Sequence, residues 1–292
     1  MRIRKKGEFK IKRETQAKDV WRRFRKNKLA MIGLAVILLL ILSAIFAPIL
    51  SPYDYKSQNL METFLWPCKE HLLGTDNFGR DTLTRILWGG RISLLISLCS
   101  VAIGLVGGGL LGSIAAYYST RVDNIIMRFL DILMAVPPLL LAVAISAALG
   151  SGIFNCALAI GIASIPLFAR VVRASALSIK NQEYIEAATA CGAGSFKIIL
   201  KHILPNSLGP ILVQSTLRIG ESILQISSLS FIGLGVQPPV PEWGNMLAYG
   251  REYIREYWPM VVFPGLAIVI TLIAFNVVGD GLRDALDPKL KQ

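Results

Sequence analysis

Charge is scarce in this chain. Only 17% of its 292 residues are Asp, Glu, Lys or Arg, against about 25% in a typical soluble domain. The 53% of residues that are hydrophobic fall into long blocks, the mark of membrane spans and not of one large soluble core. Cysteine is equally sparse. Cys68, Cys99, Cys156 and Cys191 form no C-x-x-C pair and do not sit at metal-ligand spacing with His71 or His202, so neither a disulfide framework nor a metal site is implied. No G-x-x-x-x-G-K-[ST] run is present, which argues against nucleotide binding through a P-loop. The glycine-rich "GLVGGGLLG" at 104–112 lacks the lysine and lies inside an apolar block. Its Gly104, Gly108 and Gly112 recur every four residues on one helix face, a pattern for close helix packing. Neither G-x-S-x-G nor H-E-x-x-H occurs, and no catalytic residue is assigned. There is no 20–50-residue repeat and no low-complexity domain.

What is present reads as an all-α membrane protein with six transmembrane helices. The spans are placed at Leu29–Leu50, Ile92–Tyr118, Ile126–Leu149, Gly152–Val172, Leu208–Leu234 and Pro259–Val278. Each has roughly the 20 residues that cross the hydrocarbon of a bilayer. The first starts late and is longer than a signal-peptide core, so it reads as a retained span. Pro137-Pro138 should kink the third.

The net charge is +12, yet its distribution argues for a membrane and against nucleic acid. Thirteen of the 31 Lys and Arg lie in residues 1–28, with three acids, whereas segment 51–91 holds five basic and five acidic residues. The positive-inside rule then puts both termini in the cytoplasm, together with 119–125 and 173–207. Segment 51–91, the turn near 150 and 235–258 lie outside. The organisation is a basic arm (1–28), a first span with its outer loop (29–91), a core of five spans (92–279) holding a cytoplasmic loop at 173–207, and a cytoplasmic tail (280–292). Within the arm, Ala17, Val20, Trp21 and Phe24 share one helical face with basic residues opposite. That is the pattern of a helix lying on membrane lipid; a disordered basic tail is the alternative.

Ionisable residues inside spans are few. Asp131 can pair with Arg128, and Arg218 with Glu221, both at i,i+3. Such groups face protein or a water-filled cavity, so Arg218, Glu221 and Asp131 either line a translocation path or form neutralised structural pairs. In "GTDNFGRD", Asp76, Arg80 and Asp81 can satisfy one another around turns at Gly74 and Gly79, and "TLTRILWGGR" can lie as a short helix on the outer surface. "QPPVPEWGNML" is stiffened by three prolines and presents Glu242 and Trp243.

The loop 173–207 contains "EYIEAATACGAGSFKIILKHILPN" (183–206). Asn181 can cap a helix with Glu183 in its first turn. Tyr184, Ala187, Ala188 and Cys191 then make an apolar stripe. Gly192 and Gly194 end this helix. Ser195 can cap a second, striped by Phe196, Ile199, Leu200 and Ile203, that Pro205 stops. Glu186 projects beside the small Ala187 and Ala188, a shape that can dock into a groove on a soluble partner.

These residues carry a family resemblance. "EAATACG" (186–192) resembles the E-A-A-x-x-x-G signature of importer-type ABC permeases, with Cys191 where Leu is common. "RKNKLAMIGL" (25–34), "FAPILSPYD" (46–54), "LGTDNFGRDTLTRILWGGRISLLI" (73–96), "SFIGLGVQPPVPEWGNML" (230–247) and "FNVVGDGLRDALDP" (275–288) are similar, in order, to the C-type permease of dipeptide, oligopeptide and nickel importers. The resemblance implies the importer-type permease fold in a bacterial or archaeal cytoplasmic membrane. It implies a non-catalytic membrane subunit for peptides, or alternatively for nickel or a metal chelate. The partners implied are a second, related permease forming a heterodimer, two ATPase subunits that carry the ATP and magnesium, and an extracytoplasmic substrate-binding protein. It assigns Glu183, Tyr184, Glu186, Ala187, Ala188, Gly192 and Ser195 to coupling with the ATPase. It turns Asp76, Arg80, Asp81, Glu242 and Trp243 toward the binding protein, although these loops can equally be local structure that touches only the second permease. An ion-driven secondary transporter is disfavoured, because there are few intramembrane acids and no inverted repeat is visible.

Overall fold

The computed structural model describes residues 16–286. Residues 1–15 of the arm, 287–292 of the tail and the side chains of Gln16 and Ala17 lie outside the described residues. Among those described, the elements are helical: α1 (Gln16–Phe24), α2 (Lys28–Ile45), α3 (Thr82–Tyr117), α4 (Thr120–Met134), α5 (Pro138–Leu149), α6 (Ile153–Lys180), α7 (Glu183–Ala190), α8 (Ser195–Ile198), α9 (Leu208–Phe231), α10 (Trp243–Gly250) and α11 (Pro259–Leu286). A further turn, Ala47–Leu50, follows α2. Among the described residues the only β-pairing is one isolated bridge between Thr75 and Asp81.

Among the described residues, four helices are long and apolar enough to cross a membrane: α2, α3, α6 and α11. The pair α4 and α5 counts as a fifth if it is one span, but it is bent by 86° between Met134 and Pro138. The break is far sharper than a proline kink, because Pro137 and Pro138 both lack the N–H that would continue the ladder and Ala135 closes α4 on the Asp131 and Ile132 carbonyls. The 24-residue α9 is long enough to cross but falls outside that set; it carries Arg218, Glu221, two glutamines and a run of serines.

The centre of the bundle is the α3–α6 pair, which packs through small residues. A Cβ on Gly108 would lie 2.6 Å from the Ile165 carbonyl oxygen, and Phe168, fully buried, closes over Gly104 and Gly108. The four-residue glycine spacing therefore serves packing, as its periodicity predicts. The polarity of burial is that of a membrane bundle. On α2 the buried positions are Ala30, Gly33, Ile37 and Ala44, set against Ala274 and Val278 of α11, while Leu29, Ile32, Leu38 and Leu39 are exposed. Small residues face protein and large apolar ones face outward, the order that lipid permits.

Two sequence expectations change. The segment Thr82–Arg91 is no separate surface helix; it forms the opening turns of α3, whose 36 residues make it about 54 Å long. Asp81 caps that helix by accepting from Thr84 N at 2.7 Å, so the ladder runs unbroken into the span. Helix α1 is not simply laid on a surface. Phe24 is buried beside Gly281 of α11, Val20 joins the same cluster, and Trp21 stacks on Phe24 at 5.9 Å while remaining half exposed.

Candidate functional site

The bundle has two ends of different character. At one, α3 and α6 finish side by side, and Lys180 donates to the Ala116 carbonyl at 3.1 Å. From there the chain turns into α7 and α8. Gln182 stands at the N-cap of α7, and Asn181 instead closes α6, so the expected Asn181 cap is displaced by one residue. The reason is that α6 continues helical to Lys180 and uses Asn181 as its own terminus. Gly192 adopts φ +81°, a left-handed geometry natural to glycine, and the chain reverses there. Gly194, not Ser195, precedes α8, and Ser195 is its first helical residue.

The burial of this hairpin inverts part of the predicted stripe. Ile185 is the buried residue of α7; Tyr184, Ala187 and Cys191 point outward with Glu183 and Glu186, and Ala188 is half-buried. Ile185 meets Ile198, Ile199 and Ile203 in one cluster with Ala176 and Ile179 of α6. On the second helix Ile199 and Ile203 face in as expected, whereas Phe196 is 70% exposed. Pro205 does not stop the helix. A π turn over Ile199–Ile203 absorbs it, and a helical turn at Leu204–Asn206 leads into α9. Glu183 and Glu186 fall in the first turn of α7, where the helix dipole favours carboxylates. Glu186 also lines a cleft of about 470 Å³ with Tyr117, Lys180 and Thr189. The arrangement is a short, exposed helix with a smooth alanine surface flanked by acids, packed firmly by its inner face onto the end of α6.

Deeper in the bundle, Arg218 is buried and pairs with Glu221, as their spacing predicts. It also binds the Ser164 hydroxyl of α6, through Nε at 3.2 Å and Nη2 at 3.1 Å, a contact between residues 54 apart that sequence does not reveal. Asp131 does not pair with Arg128. It accepts from Arg170 Nη2 at 2.6 Å, because α4 lies against α6 and the guanidinium arrives from that neighbour. One turn further along α6, Arg173 makes a two-pronged pair with Asp123, both bonds 2.6 Å. The i,i+3 repeat of Arg170 and Arg173 on one face of α6 was the available signal for this double link. No contact among the described residues joins Asp131 to Arg218 or Glu221.

At the opposite end, residues 51–81 fold into a lobe. Gly74 and Gly79 have positive φ. Asp76 accepts from Phe78 N at 2.8 Å, Arg80 N at 3.0 Å and Arg80 Nε at 2.6 Å. Asp81 turns away from this pair to His71, 2.9 Å from its Nδ1, and to the α3 cap. Tyr257 donates to the Leu65 carbonyl, and burial pushes its phenol above the ordinary value. Glu242 caps α10 through Gly244 N and Asn245 N, both 2.9 Å, and accepts from Ser93 at 3.0 Å and Ser230 at 2.7 Å. Trp243 donates to the Ile86 carbonyl at 2.9 Å and covers Gly89 and Gly90. Asp76, Arg80, Asp81, Glu242 and Trp243 are all less than 8% exposed. They brace the surface from beneath and do not project from it, which corrects the expectation that their side chains are presented outward. Among the described residues no group of three or more His, Cys, Asp or Glu is placed to hold a metal ion.

Comparison with known proteins agrees with this architecture. The sequence profile of the binding-protein-dependent transport system inner membrane component family matches residues 108–292. That of the N-terminal membrane domain of oligopeptide transport permease C matches residues 15–67. A dipeptide transport system permease protein of Alkalihalophilus pseudofirmus is 46% identical over 274 residues, 94% of this chain and 90% of the relative. A di/tripeptide transport system permease protein of Pseudomonas aeruginosa is 46% identical over 94% of this chain and 92% of its own length. A glutathione transport system permease protein of Pectobacterium atrosepticum is 47% identical over 95% and 92%. Among solved structures, an inward-facing MetNI methionine ABC transporter chain aligns with a TM-score of 0.56 at 17% identity, covering 70% of this chain and 97% of the other. That likeness speaks for the fold alone.

Proposed function

Because the chain belongs to the family of binding-protein-dependent transport system inner membrane components, we propose that it is the permease subunit of an ATP-driven importer of di- and oligopeptides in a bacterial cytoplasmic membrane. It crosses that membrane six times with both termini in the cytoplasm. Helices α4 and α5 together make the third span. Helix α9 makes the fifth, its polar side chains facing protein and not lipid. The α7–α8 end is cytoplasmic and the lobe end faces outward. A second, related permease completes the path. Two ATPase subunits bind ATP and magnesium and carry out hydrolysis, in which this chain takes no catalytic part. An extracytoplasmic binding protein delivers peptide to the lobe end.

The observation that carries the reading is the α7 hairpin. Its exposed face of Glu183, Tyr184, Glu186 and Ala187 is what a groove on a soluble subunit can grip, and Ile185 transmits the load through a packed cluster to α6. Closure of the ATPases moves this hairpin as a rigid lever, tilts α6 and α9, and switches the path from inward-open to outward-open. Replacing Glu186 by Lys or Gly192 by Val in the assembled complex should abolish uptake or ATPase co-purification while the chain still inserts in the membrane. Unchanged peptide uptake by either variant would sink the assignment.

A further inference from the structure

Beside the lobe, two arginines and a threonine hold hydrogen-bond donors that no acceptor of the described residues takes. Arg80 and Arg85 are both buried, at 7% and 5% exposure. Of the two carboxylates at hand, Asp81 is occupied by His71 and the α3 cap. Asp76 already accepts three hydrogen bonds, and Arg85 Nε stands off from it at 3.5 Å. Arg85 reaches otherwise only the Tyr55 carbonyl, at 3.3 Å. The remaining guanidinium N–H groups of both arginines make no hydrogen bond among the described residues, but they are not sealed from solvent, and the Arg80 guanidinium also lies over the Phe78 ring at 4.7 Å. The hydroxyl of Thr82, a residue 2% exposed, also has no partner. It lines a small void of about 20 Å³ with both arginines, Asp76 and Asn77, whose Oδ1 is likewise unpaired, at the N-terminus of α3 that Asp81 caps. This void adjoins a cleft of about 350 Å³ that has Arg80 and Arg85 in its wall and the exposed Gln58, Phe78 and Tyr249 at its rim. An unpaired buried hydroxyl is costly, and a cleft walled by two guanidinium groups with unused N–H donors is complementary to an anion that enters from the rim.

We propose that this outer cleft is a carboxylate subsite, in which Arg80, Arg85 and Thr82 take the free carboxylate of a short peptide at the outer face of the permease. The void admits about one oxygen-sized group beyond the cleft, and a planar guanidinium matches a carboxylate better than it matches a spherical ion. The inference rests on the peptide-importer reading, which supplies a ligand that always bears a terminal carboxylate. The cleft thereby gives the permease a contact of its own with the cargo, separate from the binding protein's.

The test uses the whole transporter, permeases with ATPase subunits, in nanodiscs without binding protein. Radiolabelled dialanine should bind saturably, and its C-terminal amide should compete about tenfold less well or worse. Acetate should displace the label and chloride at equal ionic strength should not. Arg85→Gln should weaken binding about tenfold or more, with basal ATPase activity retained. If that variant fails to assemble, Tyr249→Ala at the rim should still weaken binding. Equal competition by acid and amide overturns the proposal, as does equal displacement by acetate and chloride. So does intact dialanine binding in Arg85→Gln accompanied by a higher demand for binding protein in transport, which would assign the arginines to a carboxylate of that protein. Absence of ATP-driven peptide uptake by the wild-type complex with its binding protein would instead overturn the transport reading itself, so the two failures are distinguishable.

Discussion

Glu242 offers a sharp test of whether the outer motifs brace the chain or touch a partner. Its carboxylate accepts from two backbone N–H groups of α10 and from the hydroxyls of Ser93 and Ser230, and the residue has no exposed surface. In Glu242→Ala the serines can turn to carbonyls of their own helices, but Gly244 N and Asn245 N lose their acceptor. A buried orphan donor costs about 1–3 kcal/mol, and relief from burying the carboxylate offsets part of that. The net loss should be about 3 kcal/mol, within the range for losing a cap together with a buried network. Glu242→Gln keeps the shape and one carbonyl oxygen, yet its NH2 must face one of the two backbone N–H groups, so about 1–2 kcal/mol is lost. At about 2 °C per kcal/mol for a chain of this size, thermal unfolding of the purified complex in detergent should fall by about 6 °C for Ala and about 3 °C for Gln. An Ala variant with unshifted unfolding, whose only defect is a raised requirement for binding protein, would refute the reasoning and return Glu242 to the outer surface.

Three further outcomes follow from the packing. Gly108→Leu has no room against the Ile165 carbonyl and Phe168; it should separate α3 from α6 at a cost of about 3 kcal/mol or more and appear as loss of the monodisperse peak in size-exclusion chromatography. Asp123→Arg with Arg173→Asp should recover part of the unfolding temperature that either single change lowers, with a coupling of about 1 kcal/mol for this half-buried pair; strict additivity in the double-mutant cycle would show that the pair is idle. Gly192→Ala must place a side chain at φ +81° in open space, so it should cost about 1 kcal/mol through backbone strain alone and slow uptake less than Gly192→Val; equal uptake by all three proteins would remove the turn from the coupling path.

The parts of this fold that were legible in the sequence are those set by short-range pattern. Apolar blocks located the long helices to within a few turns, the glycine spacing at 104–112 foretold a close helix contact whose partner the structure shows to be α6, and the Arg218–Glu221 spacing foretold its pair. Boundary errors at Asn181, Ser195 and Pro205 were local, whereas other misreadings needed a partner distant in the chain. Asp131 goes to Arg170, 39 residues on, and Glu242 reaches Ser93, 149 residues away. The stripe on α7 was assigned to the wrong face because Ala and Tyr suit either side of a small helix, and only the isoleucines of 198–203 decide that Ile185 turns in. The block at 208–234 likewise located α9, whose Arg218, Glu221 and serines make it less apolar than the other long helices.

These long-range contacts bear on how force could pass along the chain. Helix α6 runs 28 residues to Lys180, and α7 follows after only Asn181 and Gln182. Beyond Gly192 and Gly194 the path from Ser195 to Phe231 is helical nearly throughout, with the π turn and Pro205 taken up inside it. The freest backbone between the two long helices is therefore the glycine turn itself. Ile185, Ile198 and Ile203 close across that turn into one buried cluster with α6, which couples its two arms more tightly than the glycines alone would. A push on the exposed face of α7 then reaches α6 directly and α9 through the α8 arm. Arg170 and Arg173 hand the same displacement to α4, and the Ser164–Arg218 contact ties α6 to α9 a second time, deeper in the bundle. Under the proposed lever reading, fixing at two depths favours rotation of these helices together over bending them apart, the motion that rigid-body switching of a path requires.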